Sequence, residues 1–304
     1  RTAANHVDAI CDSVNAGLDM QGCLDYTPEF WESTLLNLIK EGRVSEELIN
    51  NSVKNVLKVK FELGLFENPY TDEEHYKDVI RCDEHKKIAL DGARQAMTLL
   101  ENDGILPLKK EYKTIAVVGP SSARQRVGGY SSVPYGYTVN SVYEELKNAL
   151  GDDVTVLQSS GCGIPKGVEA VATEHGQPHL IEVYDEDESG SIEDAVKIAE
   201  QSDLVIFVGG DNNFTSGEGH DRSDLKLPGK QRELILEVAK TGKPLILVFE
   251  NGRAIDLTEE VKVSNAILVS WFGGEFGAKA IVETLLGENN PAGRVHFSFP
   301  ADSN

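Results

Sequence analysis

A carboxylic acid hands its proton to a departing oxygen near neutral pH only when something lifts its pKa, and delivery into a partly dry pocket does so. Glu218 is placed for such delivery. It stands between Gly217 and Gly219 in the stretch 209–231, GGDNNFTSGEGHDRSDLKLPGKQ, where neighbouring side chains do not shield it and glycines let the chain turn sharply. A solvated acidic loop is the competing reading. Asp221 and Arg222 are expected to pair and brace the loop, with Asp224 as a second candidate partner; guanidinium stays charged, so Arg222 is a poor proton shuttle. Asp211 is near enough to line the same mouth and contact a substrate, although bonding backbone amides in the turn is the commoner job for such a residue. Tyr130 in Gly128-Gly129-Tyr130-Ser131 and Trp271 in Trp271-Phe272-Gly273-Gly274 place aromatic faces beside flexible backbone. They are candidate walls for the apolar face of a ligand ring, with core packing as the alternative.

Other chemistries find little footing. No G-x-G-x-x-G follows a strand pattern, and no G-x-x-x-x-G-K-[ST] phosphate loop or G-x-S-x-G nucleophile elbow occurs, which argues against nucleotide cofactors and serine hydrolysis. His220 beside Asp221 does not make a triad, because adjacent residues need not face one another. H-E-x-x-H and an EF-hand loop are missing as well; neither a cofactor nor a metal is expected.

The elements that must position these residues follow from periodicity. Short apolar runs at Lys113–Val118, Val154–Leu157, Leu204–Val208, Leu245–Phe249 and Ala266–Ser270 alternate with helical stretches at Ser141–Leu150, Ile192–Gln201, Gln231–Thr241 and Gly277–Leu286. That rhythm predicts an α/β fold: a mostly parallel sheet sandwiched by helices and joined by right-handed crossovers. Ligands gather at the carboxyl ends of such strands, which directs attention to the exits at 119–134, 209–228 and 270–277. Before the sheet, Thr27-Pro28-Glu29 reads as a cap with proline at the first helical position, and a second helix spans Ser45–Leu63 until Gly64 stops it. A helix from Glu84 to Leu100 ends at the turn Asn102-Asp103-Gly104. The expected organisation is a helical part over 1–65, a linker and entry helix over 66–104, and the sheet domain over 105–304.

With 29 basic against 50 acidic residues the formal charge is -21, which opposes nucleic-acid or anionic-membrane partners and permits a neutral ligand. Cys11, Cys23, Cys82 and Cys162 are far apart; buried thiols are expected, or a Cys11–Cys23 disulfide in an oxidising compartment. Neither a signal peptide nor a long apolar run is present, and the opening at Arg1 suggests a piece of something longer.

Taken together, Gly217-Glu218-Gly219-His220-Asp221-Arg222 and Leu225-Lys226-Leu227-Pro228-Gly229-Lys230-Gln231 resemble the second-domain signature of glycoside hydrolase family 3, the β-glucosidase and β-xylosidase family. The likeness runs in order through Ala16-Gly17-Leu18-Asp19-Met20, Leu63-Gly64-Leu65-Phe66, 96–108 (AMTLLENDGILPL), Asn251-Gly252-Arg253 and Asn290-Pro291-Ala292-Gly293-Arg294. It implies the end of a (β/α)8-like barrel followed by an α/β sandwich, and a retaining mechanism in which Glu218 is the acid/base. The family's nucleophilic aspartate lies in a serine-aspartate motif that has no counterpart between Arg1 and Ala16; Asp8, Asp12 and Asp19 do not inherit the role. The resemblance therefore implies a chain inactive alone, an N-terminal barrel segment or fragment as partner, and a β-linked oligosaccharide or an aryl or alkyl β-glycoside as substrate. It slightly favours a secreted or periplasmic setting over a cytoplasmic one.

Overall fold

A computed structural model describes residues 3–22, 27–131, 139–171, 179–183 and 190–300. The chain divides into two compact units, Arg1–Ile80 and Arg81–Asn304.

The first unit is helical. Its elements are α1 (His6–Asn15), α2 (Pro28–Lys40), α3 (Glu46–Glu62) and the short α4 (Tyr76–Val79). Asn5, Thr27 and Ser45 each accept a hydrogen bond from a first-turn amide, satisfying donors that a helix start leaves unpaired. Ile10, Cys11, Val14, Leu38 and Val44 form a small core against Trp31, Leu35, Ile39 and Ile49. No residue of α3 is buried. Its Val53, Leu57, Val59 and Phe61 are exposed, and a groove of about 440 Å³ runs between Leu18, Met20, Trp31, Leu35, Val53 and Leu57.

The second unit opens with α5 (Asp83–Ala96) and β1 (Thr98–Asn102), continues through β2 (Thr114–Val118), α6 (Val142–Leu150), β3 (Thr155–Ser159), β4 (Gly167–Val171) and β5 (His179–Val183), then α7 (Ile192–Glu200), β6 (Leu204–Gly210) and α8 (Gln231–Ala239). It closes with β7 (Leu245–Glu250), α9 (Glu260–Val263), β8 (Ala266–Val269) and α10 (Gly277–Leu286). Six strands form one sheet in the order β1-β8-β7-β6-β2-β3, parallel except for β1, which runs antiparallel along β8. Because successive side chains point to opposite faces, each central strand feeds two cores. Val117, Leu204, Ile206, Val208, Ile246, Val248 and Leu268 meet α6 and α10 on one face. Val205, Phe207, Leu245, Leu247, Phe249 and Ile267 meet α7 and α8 on the other.

Two expectations need correction. The helix expected to reach Leu100 ends at Ala96, and Thr98–Asn102 becomes the edge strand β1. The edge of β8 offers unpaired backbone groups that outweigh the helical preference of Leu99 and Leu100. The antiparallel hairpin of β4 and β5 was not anticipated, since its strands lie in a long polar connection. Cys11 and Cys162 are buried free thiols and Cys82 is a half-buried one; Cys23 lies outside the described residues. No helix among the described residues is long and apolar enough to cross a membrane.

Candidate functional site

The exits of β2, β6, β7 and β8 meet at the carboxyl end of the parallel strands, as sheets of this kind require. The β6 exit is tied at its neck by Gln231, the first residue of α8. Its buried amide accepts from Gly210 N–H at 2.8 Å and donates to Gly210 O and Pro228 O at 2.8 and 2.9 Å. Gly210 could not be another residue: its φ is 127°, and a Cβ there would lie 2.2 Å from Glu250 O.

Inside the neck the loop is locked by short-range turns. Asn212 Oδ1 accepts from the amides of Phe214 and Thr215 at 2.9 and 3.1 Å, and His220 N–H bonds Gly217 O at 3.1 Å. The turn-closing work expected of Asp211 thus falls to its neighbour. Asp211 is fully buried, with Oδ1 accepting from Arg253 Nη2 at 3.0 Å, Arg253 Nε at 3.2 Å and Thr215 Oγ1 at 3.1 Å. Desolvation pushes its carboxyl up from the ordinary value while Arg253 pulls the other way. A carboxylate sealed in that manner acts as a structural brace, and Asp211 lies buried on Arg253 and Thr215 beneath the mouth that it was expected to line. The Asp221/Arg222 brace also resolves differently. Arg222 Nη2 reaches Asp224 Oδ1 at 3.2 Å, the second candidate, while Asp221 is exposed. Burial alone would raise the Asp224 carboxyl, but hydrogen bonds from Lys226 N–H and Arg222 together with the charges of Arg222 and Arg253 outweigh it and bring the carboxyl below the ordinary value.

Glu218 stands exposed at the loop tip. Tyr130, from the β2 exit, donates its hydroxyl to Glu218 Oε2. Tyr130 is itself 90% exposed and sits at φ 58°, in the left-handed region, an uncommon and costly conformation for a side chain of its size. Phe272 packs beside the β2 exit, where a Cβ on Gly128 would meet its Cβ at 3.0 Å. A Cβ on Gly252 would meet Ser216 Oγ at 2.8 Å and the Phe272 ring at 3.2 Å, so the β7 and β8 exits support the base of the Glu218 loop. A cleft of about 210 Å³ separates the two carrier loops, lined by Arg124, Gln125, Arg126, Gly128, Asn212 and Phe214.

Trp271 does not join this group. Its Nε1 bonds Thr98 Oγ1 at 3.1 Å, and its ring lies 5.8, 5.7 and 6.3 Å from those of His296, Phe297 and Phe299. The packing alternative therefore describes it, and Phe272 is the aromatic of the β8 exit packed against Gly128 and Gly252. A cleft of about 730 Å³ lies between α7 and α8 beside Cys162 and Lys230, and Glu218 is not among its lining residues. Among the described residues no cluster of His, Cys, Asp and Glu could hold a metal ion.

Sequence reasoning missed Glu250, Gln125, Gln231 and Arg253 as parts of the site. Gln231 and Arg253 were visible only as members of matched motifs. Glu250 had a signal: it is the charged end of an otherwise apolar run, LILVFE, where alternation places it indoors.

The chain matches the model of the glycosyl hydrolase family 3 C-terminal domain over residues 97–304. It is 34% identical to the periplasmic β-glucosidase of Salmonella typhimurium over 98% of its own length and 40% of that protein. It is 31% identical to a β-xylosidase of Formosa agariphila over 99% of its length and 40% of the relative. Among solved structures, a β-glucosidase involved in saponin metabolism from intestinal bacteria superposes with a TM-score of 0.74 at 31% identity, covering 98% of this chain and 43% of that one. The Listeria innocua β-glucosidase in complex with glucose gives 0.72 at 28% identity, covering 99% and 38%. The chain thus spans about 40% of the length of the curated relatives it matches.

Proposed function

The chain belongs to glycosyl hydrolase family 3, and we propose that it supplies the acid/base portion of a retaining β-glucosidase acting on terminal non-reducing β-D-glucosyl residues. Glu218 first donates its proton to the departing glycosidic oxygen and then, as the carboxylate, deprotonates the water that releases the sugar. A retaining enzyme needs a second carboxylate about 5–5.5 Å away as nucleophile. It comes from the segment that precedes this one in the longer relatives, so these 304 residues alone are inactive. Substrates are β-linked oligosaccharides and aryl or alkyl β-glycosides, with the Tyr130 ring as one wall of the site.

The observation that carries this reading is the presentation of Glu218: exposed, on a loop closed at its neck by Gln231, and met by Tyr130 at the carboxyl ends of the parallel strands. The exposed apolar residues Val53, Leu57, Val59 and Phe61 of α3 support a further covering segment, because the five buried core residues described in the first unit are few for its length. Glucose is preferred over xylose because the relative at 34% identity and the solved neighbours cited are β-glucosidases; the β-xylosidase at 31% keeps xylose as second reading.

The test is Glu218→Ala in the full-length protein. Turnover of a poor-leaving-group glucoside is expected to fall by about 10²–10⁴, with azide restoring a glycosyl azide product. Unchanged turnover without azide would remove Glu218 from the mechanism. Comparing release of 4-nitrophenol from glucoside and xyloside decides the sugar; faster xyloside turnover would reverse the preference.

A further inference from the structure

Among the described residues, buried side-chain atoms without a hydrogen-bond partner gather at the carboxyl ends of the central strands: Gln125 Oε1, Asp211 Oδ2, Arg222 Nε, Glu250 Oε2 and Asn251 Oδ1, with Ser264 Oγ elsewhere. Two of them belong to groups already joined. Gln125 Nε2 donates to Glu250 Oε1 at 2.9 Å. The Gln125–Glu250 bond leaves one acceptor stranded on each side, Gln125 Oε1 and Glu250 Oε2, and buried acceptors left unpaired are costly. A proton taken from solvent onto Glu250 Oε2 makes that atom a donor, and Gln125 Oε1 is the stranded acceptor on the group that the carboxyl already meets. The environment agrees: complete burial pushes the Glu250 carboxyl up to about 8, against the pull of Arg126 and of hydrogen bonds from Arg126, Ser121 and Gln125.

The pair is placed to connect two loops. Gln125 Nε2 also donates to Arg126 O at 3.1 Å, and the amide rests on the start of α10, where a Cβ on Gly277 would come within 2.6 Å of Nε2. With Ser121 and Arg126 on the same carboxyl, the Glu250 side chain gathers the first half of the β2 exit, whose tip is Tyr130. The Glu250 backbone takes the other loop: its carbonyl accepts Asp211 N–H at 2.9 Å where the Glu218 loop begins. The strained Tyr130 conformation needs such an anchor to persist.

We propose that Glu250, held as a neutral acid–amide pair with Gln125, is the positioning residue that seats Tyr130 and, through the Tyr130 hydroxyl, orients the carboxylate of Glu218. The consequence for catalysis rests on the acid/base reading of Glu218; the seating itself does not.

The experiment uses the 304-residue chain with ¹³C-labelled glutamate, the Glu218 carboxyl resonance being assigned by its loss in Glu218→Gln. Tyr130→Phe defines that resonance without the hydroxyl. Glu250→Gln keeps a two-way pair with Gln125 and is expected to leave the resonance in place. Glu250→Ala is expected to move it to the Tyr130→Phe position, with no further movement in the double variant. Should Glu250→Ala fail to fold, Gln125→Leu breaks the same pair from the other side and is expected to give the same shift. A folded Glu250→Ala or Gln125→Leu protein with the wild-type resonance overturns the proposal, since a residue that only stabilises the sheet would change melting and nothing at Glu218. The infrared difference between wild type and Glu250→Gln at neutral pH is expected to show a protonated carboxyl band; a carboxylate band there overturns the neutral pair. None of these readings uses turnover. An active Glu218→Ala enzyme would therefore sink the acid/base role and leave the seating intact, and a static resonance would do the reverse.

Discussion

Glu250→Gln should make the second unit more stable, and more so as pH rises. The carboxyl is fully buried and its pKa is lifted from 4.5 to about 8. Below pH 4.5 folded and unfolded chains both hold the proton, and the group contributes no slope. Between 4.5 and about 8 the unfolded chain releases it while the folded chain keeps it, so stability falls as pH increases; above about 8 both are ionised and the loss is complete. At ~1.4 kcal/mol for each tenfold change in proton affinity, the whole window is worth ~5 kcal/mol. About 2 kcal/mol of it falls between roughly pH 6 and pH 8. The variant carries an uncharged amide in the same place and loses that dependence. The assay is urea unfolding followed by Trp271 fluorescence, with Trp31→Phe in both proteins so that the signal comes from the second unit alone. The gap between variant and parent should widen by the stated amount over that interval. Parallel pH curves would show that Glu250 is ionised at neutral pH, or well solvated, and would refute the reasoning.

Further expectations follow from individual contacts. Arg253→Leu leaves Asp211 buried without its cation and should cost ~3–5 kcal/mol in urea unfolding at neutral pH; a loss below ~1 kcal/mol would mean that the loop reopens to water. Gln231→Leu strands the Gly210 amide and carbonyl and should cost ~2–4 kcal/mol, with faster proteolytic nicking of the loop; unaltered nicking would rule out the neck. Ser141→Ala removes the capping box of α6 and should cost about 1 kcal/mol, checked by thermal unfolding. Burial pushes the Cys162 thiol up to about 12, so iodoacetamide near pH 8 should alkylate it roughly a thousandfold more slowly than a free cysteine. Mass spectrometry reporting comparable rates would contradict the buried placement.

Much of the architecture was legible because it depends on local pattern. Apolar runs such as KTIAVV and LVIFV are short and rich in β-branched residues, so they read as strands covered on both faces, and the helical stretches between them point to a parallel sheet. The same logic located the exits and picked out Glu218, since a glutamate between two glycines is conspicuous without coordinates. What the tertiary structure decided is who meets whom. Tyr130 and Glu218 are 88 residues apart and come together only because β2 and β6 are neighbours in the sheet. Asp211 looked like a mouth residue and is sealed by Arg253, a partner 42 residues away. Thr98–Asn102 carries helical residues and becomes a strand because β8 has an open edge. Periodicity reports which face of an element is dry, a property of neighbouring residues; ion pairing, strand edges and the proton on Glu250 depend on distances across the fold, which no local pattern encodes.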